Sequence, residues 1–539
     1  MLDTLRTYNY NEKDDGKRSL EEDPATFNSP TDQPLRNKND QDSPSLSAPV
    51  SRASSHIEGM LDPSPPWDLI SLPHEILFVV LLCIAQLFTQ ASVAQTIVTY
   101  QAIPQTFNVS TPGEISWFSS AFSLTVGTFI LIAGRLGDMY GLKRMYIAGM
   151  AWYGLWSLIC GIASYSKSSI FFSVCRALQG IGPAFVLPTA VGIIGAYYPM
   201  GPRRVFVMCC FGGVAPSGFI VGSVFSGIFT QLAGSWPWLF YSQAIACTIV
   251  AILAYFIIPQ HIGVAFNKQQ TFDYWGALTG ITGLILFNFA WNQGPVVGWH
   301  IPYVYILLIV GVLFLVAFIF IERRVENPLV PPAMLKGETG AILGCIACGW
   351  SSFGIWVFYM HQFAFHVEHR TMLNMTARLV PLTPSGIAAS MITAVLIPRI
   401  PSSFIMLIST IAFCVGNLLL ALRPANQIYW AQMFVSLLCM PFGMDMSFPA
   451  STVVLSSHLP REKQGVAASI VNTVVNYSIS IGLGIAGTVE YYSTKNLHQP
   501  QKQTIRNAQW TGTGLGGFSI LIALWFVFVQ VIIPRLKKK

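Results

Sequence analysis

Gly134-Arg135-Leu136-Gly137-Asp138-Met139-Tyr140-Gly141-Leu142-Lys143-Arg144 lies between two long apolar runs, Ile115–Arg135 and Met145–Tyr165, and the fold turns on how it is read. Its glycines permit a tight connection with backbone freedom, Asp138 can meet a helix N-terminus, and Lys143 with Arg144 holds the connection on the basic side of a bilayer. The runs on either side repeat along the chain. A helix crossing ~30 Å of hydrocarbon needs about 20 apolar residues, and that ruler predicts fourteen spans between residues 75 and 533. The composition agrees. The chain has 539 residues, 53% apolar and only 10% charged, with mean hydropathy +0.53. A soluble domain carries about 25% charged residues, so a soluble enzyme, a nucleic-acid binder and a secreted disulfide scaffold are excluded.

Charge is sorted along the chain. Residues 1–70 hold 13 of the 24 acids beside seven bases, are rich in Ser, Pro, Asp and Asn, and are expected to form a disordered cytoplasmic tail. No secretory leader is legible there, so the first span is expected to act as the signal anchor. With the N-terminus inside, the inner connections hold Lys143, Arg144, Arg203, Arg204, Lys268, Arg323, Arg324, Lys336, Arg399, Arg461, Lys463 and the C-terminal Arg535 and Lys537 to Lys539. The outer ones hold only Lys167, Arg370, Arg378, Arg423, Lys495, Lys502 and Arg506, three of them in a long loop predicted at 491–510. This is positive-inside sorting with both termini cytoplasmic. The sequons at Asn108 and Asn374 fall in predicted outer loops and are glycosylation candidates. All ten cysteines lie in apolar stretches, Cys345-x-x-Cys348 included, and read as small core residues without disulfide or metal.

The stretch at 134–144 resembles the cytoplasmic signature of the major facilitator superfamily, G-x-x-x-D-x-x-G-[RK]-[RK], shifted only by Leu142. Arg176-Ala177-Leu178-Gln179-Gly180-Ile181-Gly182 is similar to the family's R-x-x-Q-G-x-G segment. Gly213-Val214-Ala215-Pro216-Ser217-Gly218, with Gly222, resembles a worn proton-antiporter signature, although small residues for close helix packing explain Gly218-x-x-x-Gly222 equally well. Phe287 to Pro295, read as span 7 and its outer loop, Pro441 to Pro449, and Asn472 to Ser478 are similar to a fungal fourteen-span subgroup. That subgroup contains aminotriazole-resistance and boron exporters and, more closely similar here, low-affinity ammonium transporters. The resemblance implies an all-α fold of two six-helix bundles, 71–260 and 339–539, separated by two inserted helices at 261–338. The bundles would rock about a central site, with Gly134, Asp138, Gly141, Lys143 and Arg144 as the gate element. Asp138 would dock on the N-terminus of span 13 when the inner side is closed.

Two ionisable residues stand out inside the spans. An ionised side chain at mid-bilayer costs at least ~2.5–3.5 kcal/mol, so it must face protein or a wet cavity. Asp445 and Arg176 differ in depth by ~15 Å at ~1.5 Å of rise per residue, which predicts neutral partners such as Gln179, Gln86 or Gln90 rather than a direct ion pair. For Asp445 two readings stand: a proton or cation site, or a carboxylate bonded to a helix broken between Pro441 and Pro449. Arg176 reads as a packing anchor or as part of proton transfer. Gln86, Gln90, Asn472 and Asn476 line the cavity or bond between helices. His361, His366 and His369 lie in a predicted loop and are read as no metal site. No nucleotide-binding glycine loop or catalytic acid cluster occurs, which argues against a pump or an enzyme and implies no cofactor.

These observations lead us to expect a monomeric, multi-pass secondary transporter of a fungal plasma membrane. It would use protons to export small toxic compounds or metabolites. Low-affinity transport of a small cation such as ammonium is the alternative, and a non-transporting nutrient sensor is the alternative of another class. No nucleic-acid partner is expected.

Overall fold

The computed structural model describes residues 71–533 apart from 110, 200, 260–271, 326–327, 332–333, 335 and 458–463. The predicted tail, Lys268, Arg461, Lys463, the C-terminal bases and the Ser110 of the first sequon lie outside the described residues. Among the described residues there is no strand. The helices are α1 Leu72–Val98, α2 Ala102–Phe107, α3 Pro112–Tyr140, α4 Leu142–Ile162, α5 Ser169–Tyr197, α6 Pro202–Gly213, α7 Ala215–Gly227, α8 Pro237–Ile257 and α9 Tyr274–Val297. They continue as α10 Pro302–Glu322, α11 Gly337–His366, α12 Met372–Leu379, α13 Leu382–Leu396, α14 Ser402–Leu422, α15 Gln432–Ser457, α16 Gln464–Lys495 and α17 Gln501–Val527.

Local chemistry starts many of these helices. Proline opens α6, α8 and α10, where its missing N–H costs nothing. Ser168, Asp273 and Thr371 cap α5, α9 and α12 by accepting from the backbone N–H of Phe171, Gly276 and Asn374. Thirteen described helical segments are long and apolar enough to cross a bilayer. The fourteenth predicted span is α9, which is long enough but more polar. Its polar side chains are turned inward. Asn288 and Asn292 form a buried network with Ser480 of α16, Tyr477 donates to the Leu284 carbonyl at 2.9 Å, and Trp117 of α3 donates to Gln293. By contrast α10 has only 11% of its most apolar window buried, so it faces lipid.

α1 and α3 to α8 pack on one another, as do α11 and α13 to α17. The two groups meet where α3 lies on α16 and where α6 lies on α13 and α15, and α9 lies against both α3 and α16. Glycine permits the closest approaches. A Cβ at Gly218 would sit 2.4 Å from the Leu87 carbonyl oxygen, and one at Gly222 would sit 2.5 Å from that of Ala91. On this geometry Gly218 and Gly222 are close-packing residues between α7 and α1.

Four expectations about local structure need correction. Residues 134–140 are not a loop but the last turns of α3, and only Gly141, at φ 96°, breaks the chain before α4. Phe287 to Pro295 is helical throughout, inside α9. The predicted loop at 491–510 shrinks to about five residues, because α16 runs to Lys495 and α17 begins at Gln501. His361 and His366 lie within α11 rather than in a loop.

Candidate functional site

Asp445 sits midway along α15 and is 3% exposed. The predicted break is absent: α15 is one continuous helix with both Pro441 and Pro449 inside it. The carboxylate instead faces a contact between the two helix groups. A Cβ at Gly386 of α13 would lie 2.8 Å from Asp445 Oδ2 and 2.5 Å from Pro216 Cγ of α7, so any residue other than glycine would have to displace one of them. One turn further along α13, Ser390 Oγ lies 2.7 Å from the Cβ position of Gly213. The antiporter-like stretch and the buried carboxylate, read separately in the sequence, therefore converge on one face of α13. Asp445 Oδ2 and Ser390 Oγ are both buried without a hydrogen-bond partner among the described residues. A buried polar atom left unpaired costs about 1–3 kcal/mol, and such atoms mark places where an ion, proton or water belongs.

Arg176 on α5 is fully buried and fully engaged. Nε donates to the Phe118 carbonyl at 3.0 Å and Nη2 to the Ser92 carbonyl at 2.9 Å, while Nη1 donates to Gln179 Oε1. Gln179 in turn donates to Ser157 at 2.7 Å. The guanidinium also lies 4.5 Å from the Phe122 ring centroid. These contacts join α1, α3, α4 and α5. Gln179 was among the neutral partners expected, and no contact between Arg176 and Asp445 occurs among the described residues.

The other candidates are scattered. Gln86 and Gln90 are buried on α1, and Gln86 Oε1 has no partner among the described residues. Asn472 and Asn476 are buried on α16, with each amide donating at 3.0 Å to the carbonyl four residues back in its own helix. Gly134 is buried near the end of α3. Asp138 is half-buried, and its Oδ2 has no partner among the described residues. The residues just before α16, where it was expected to dock, lie outside the described residues. Lys143 donates to the carbonyls of Tyr255 and Ile258 at 2.7 and 2.6 Å, capping α8, as a cation at a helix C-terminus should. Arg144 is exposed. Leu142, the residue that shifts the signature, is buried against Gly137 and Gly192. Asn108 is exposed at the left-handed end of α2, whereas Asn374 lies in α12 with its Oδ1 accepting from Arg378, and Thr376 of that sequon is buried. All ten cysteines are free, and among the described residues no three His, Cys, Asp or Glu side chains cluster to hold a metal.

Among the buried acids that sequence reasoning missed, Glu490 borders a cavity. It lies inside α16, is 7% exposed, and accepts from the Tyr359 hydroxyl at 2.9 Å. The small residues Gly484 and Gly487 precede it at spacings of three on one helical face, which was the available signal.

A helical membrane protein whose two helix groups meet over an unpaired buried carboxylate has the construction of a secondary transporter, and the relatives of the chain agree. The Major Facilitator Superfamily profile matches residues 80–483, and the chain belongs to that family. It is 49% identical over 468 residues to the low affinity ammonium transporter of Saccharomyces cerevisiae, covering 85% of this chain and 90% of that one. It is 41% identical to the efflux pump terJ of Aspergillus terreus, covering 85% and 88%. The human organic anion transporter MFSD10 shares the fold, with a TM-score of 0.57 at 12% identity over 84% of this chain and 98% of that one. The protein is thus a multi-pass membrane transporter of small molecules and not an enzyme.

Proposed function

We propose that the chain is a proton-gradient-driven exporter of small toxic compounds or metabolites in a fungal plasma membrane, with both termini cytoplasmic. In this reading the bundles 71–260 and 339–539 rock against each other, with 261–338 inserted between them, and Asp445 takes up and releases the coupling proton. The observation that carries it is the unpaired Asp445 Oδ2 at the meeting of α7, α13 and α15. A carboxylate placed where two moving bodies touch can exchange its proton with whichever side is open. Gly134, Asp138, Gly141, Lys143 and Arg144 act as the gate element, and Arg176 holds its bundle together. The similarity to an efflux pump supports export.

A second reading, low-affinity ammonium transport, is favoured by the 49% identity to a transporter of that ion and by a carboxylate with no basic side chain bonded to it among the described residues. Proteoliposomes containing the full chain under an imposed pH gradient test both. Export predicts proton flux evoked by toxic substrates, lost at least tenfold in Asp445→Asn. Ammonium-evoked current without drug-evoked proton flux transfers the assignment to the second reading. Undiminished coupled flux in Asp445→Asn overturns the role of Asp445 in either.

A further inference from the structure

We infer that Glu490 and Asn292 form a second binding site, for a small organic ammonium cation, at the membrane face that carries Lys495. A cavity of about 240 Å³ opens there between α3, α9, α11 and α16. At ~30 Å³ per water it holds roughly eight water-sized groups, too many for a bare ammonium ion and suited to a short alkylamine.

The chemistry of the wall is one-sided. Glu490 contributes a buried carboxylate held in place by the Tyr359 hydroxyl. Asn292 is 2% exposed, and its Oδ1 has no partner among the described residues, because the amide nitrogen is committed to Asn288 and Ser480. Of the hydroxyls that line the cavity, Ser116 donates to the Gly113 carbonyl and Thr494 to the Glu490 carbonyl, each in its own helix, and Tyr359 donates to Glu490 itself. The wall thus offers the Glu490 carboxyl group, the Asn292 amide oxygen and the aromatic rings of Phe358, Tyr359 and Tyr491. A charged N–H donor with a short apolar chain satisfies all of them, the rings included. The one basic side chain in the wall, Lys495, has its ammonium on the Tyr491 hydroxyl at 2.8 Å and 5.2 Å from that ring's centroid, a built-in competitor at the rim. The acceptor Asn292 comes from the inserted helix α9, so the insert completes the site.

The site lies on helices other than those around Asp445, and its occupancy can be read without transport. Butylammonium is titrated calorimetrically into the full-length protein in nanodiscs. Glu490→Gln weakens binding at least tenfold, Asn292→Leu about fivefold or more, and Lys495→Met tightens it severalfold, while Asp445→Asn keeps the wild-type Kd. Neutral 1-pentanol does not bind. Wild-type affinity in Glu490→Gln, absence of butylammonium binding to the wild type, or its loss in Asp445→Asn overturns the inference. Should Glu490→Gln fail to fold, Asn292→Leu and Lys495→Met carry the test, since they must move affinity in opposite directions.

Discussion

Arg176 and Asp445 are both buried charges inside membrane helices, yet their surroundings are opposite. Arg176 has its donors directed at two backbone carbonyls and an amide oxygen, and an aromatic ring covers its face. Asp445 Oδ2 has no hydrogen-bond partner among the described residues, at a junction between helix groups. Burial alone does not distinguish them. Satisfaction does: a charge with every nitrogen hydrogen-bonded holds helices together, and one with an oxygen to spare is available for exchange.

Replacement of each residue can break or sharpen that contrast. Arg176→Leu has the largest expected effect on stability, a loss of about 3–5 kcal/mol, since three hydrogen bonds to a charged group are worth roughly 1.5 kcal/mol or more apiece. Thermal unfolding in detergent, followed by size-exclusion fluorescence, measures it, and a loss under 1 kcal/mol removes the anchor role. Gly222→Leu, which must push the Ala91 carbonyl away, costs about 1–3 kcal/mol in the same assay. Ser480→Ala, which removes one member of the network between α9 and α16, costs only ~0.6 kcal/mol, the typical value of a polar contact between membrane helices. Asp445→Asn is expected to leave the unfolding midpoint unchanged within about 1 °C while it abolishes coupling. If it destabilises as Arg176→Leu does, the contrast fails.

The sequence made the architecture readable because two independent signals, the 20-residue apolar ruler and the Gly134-to-Arg144 signature, agreed. Arg176 was legible as a buried charge, and its partner Gln179 one turn on was legible too. The meeting of Gly213 and Pro216 with Ser390, Gly386 and Asp445 was not, because it joins residues at least 170 positions apart through a glycine that carries no chemistry of its own. Glu490 escaped for a different reason. An acid at the end of an apolar run reads as the start of a loop, and the outer loop predicted at 491–510 begins one residue after it. The helix continues because the Tyr359 hydroxyl and the cavity accept the carboxylate. α9 posed the converse difficulty, since Asn288, Asn292 and Gln293 lower its apolar character but are directed at α16 and α3 rather than at lipid.

The contact of Gly218 and Gly222 with the main chain at Leu87 and Ala91 has a mechanical consequence. Where main chain abuts main chain, no rotamer stands between the two helices to yield. α1 and α7 can swivel about that point, but they cannot slip along each other without first separating. Any sliding between α1 and α7 would first have to break this rivet, and the chain nearest to it that leaves regular helix is Val214, where α6 gives way to α7.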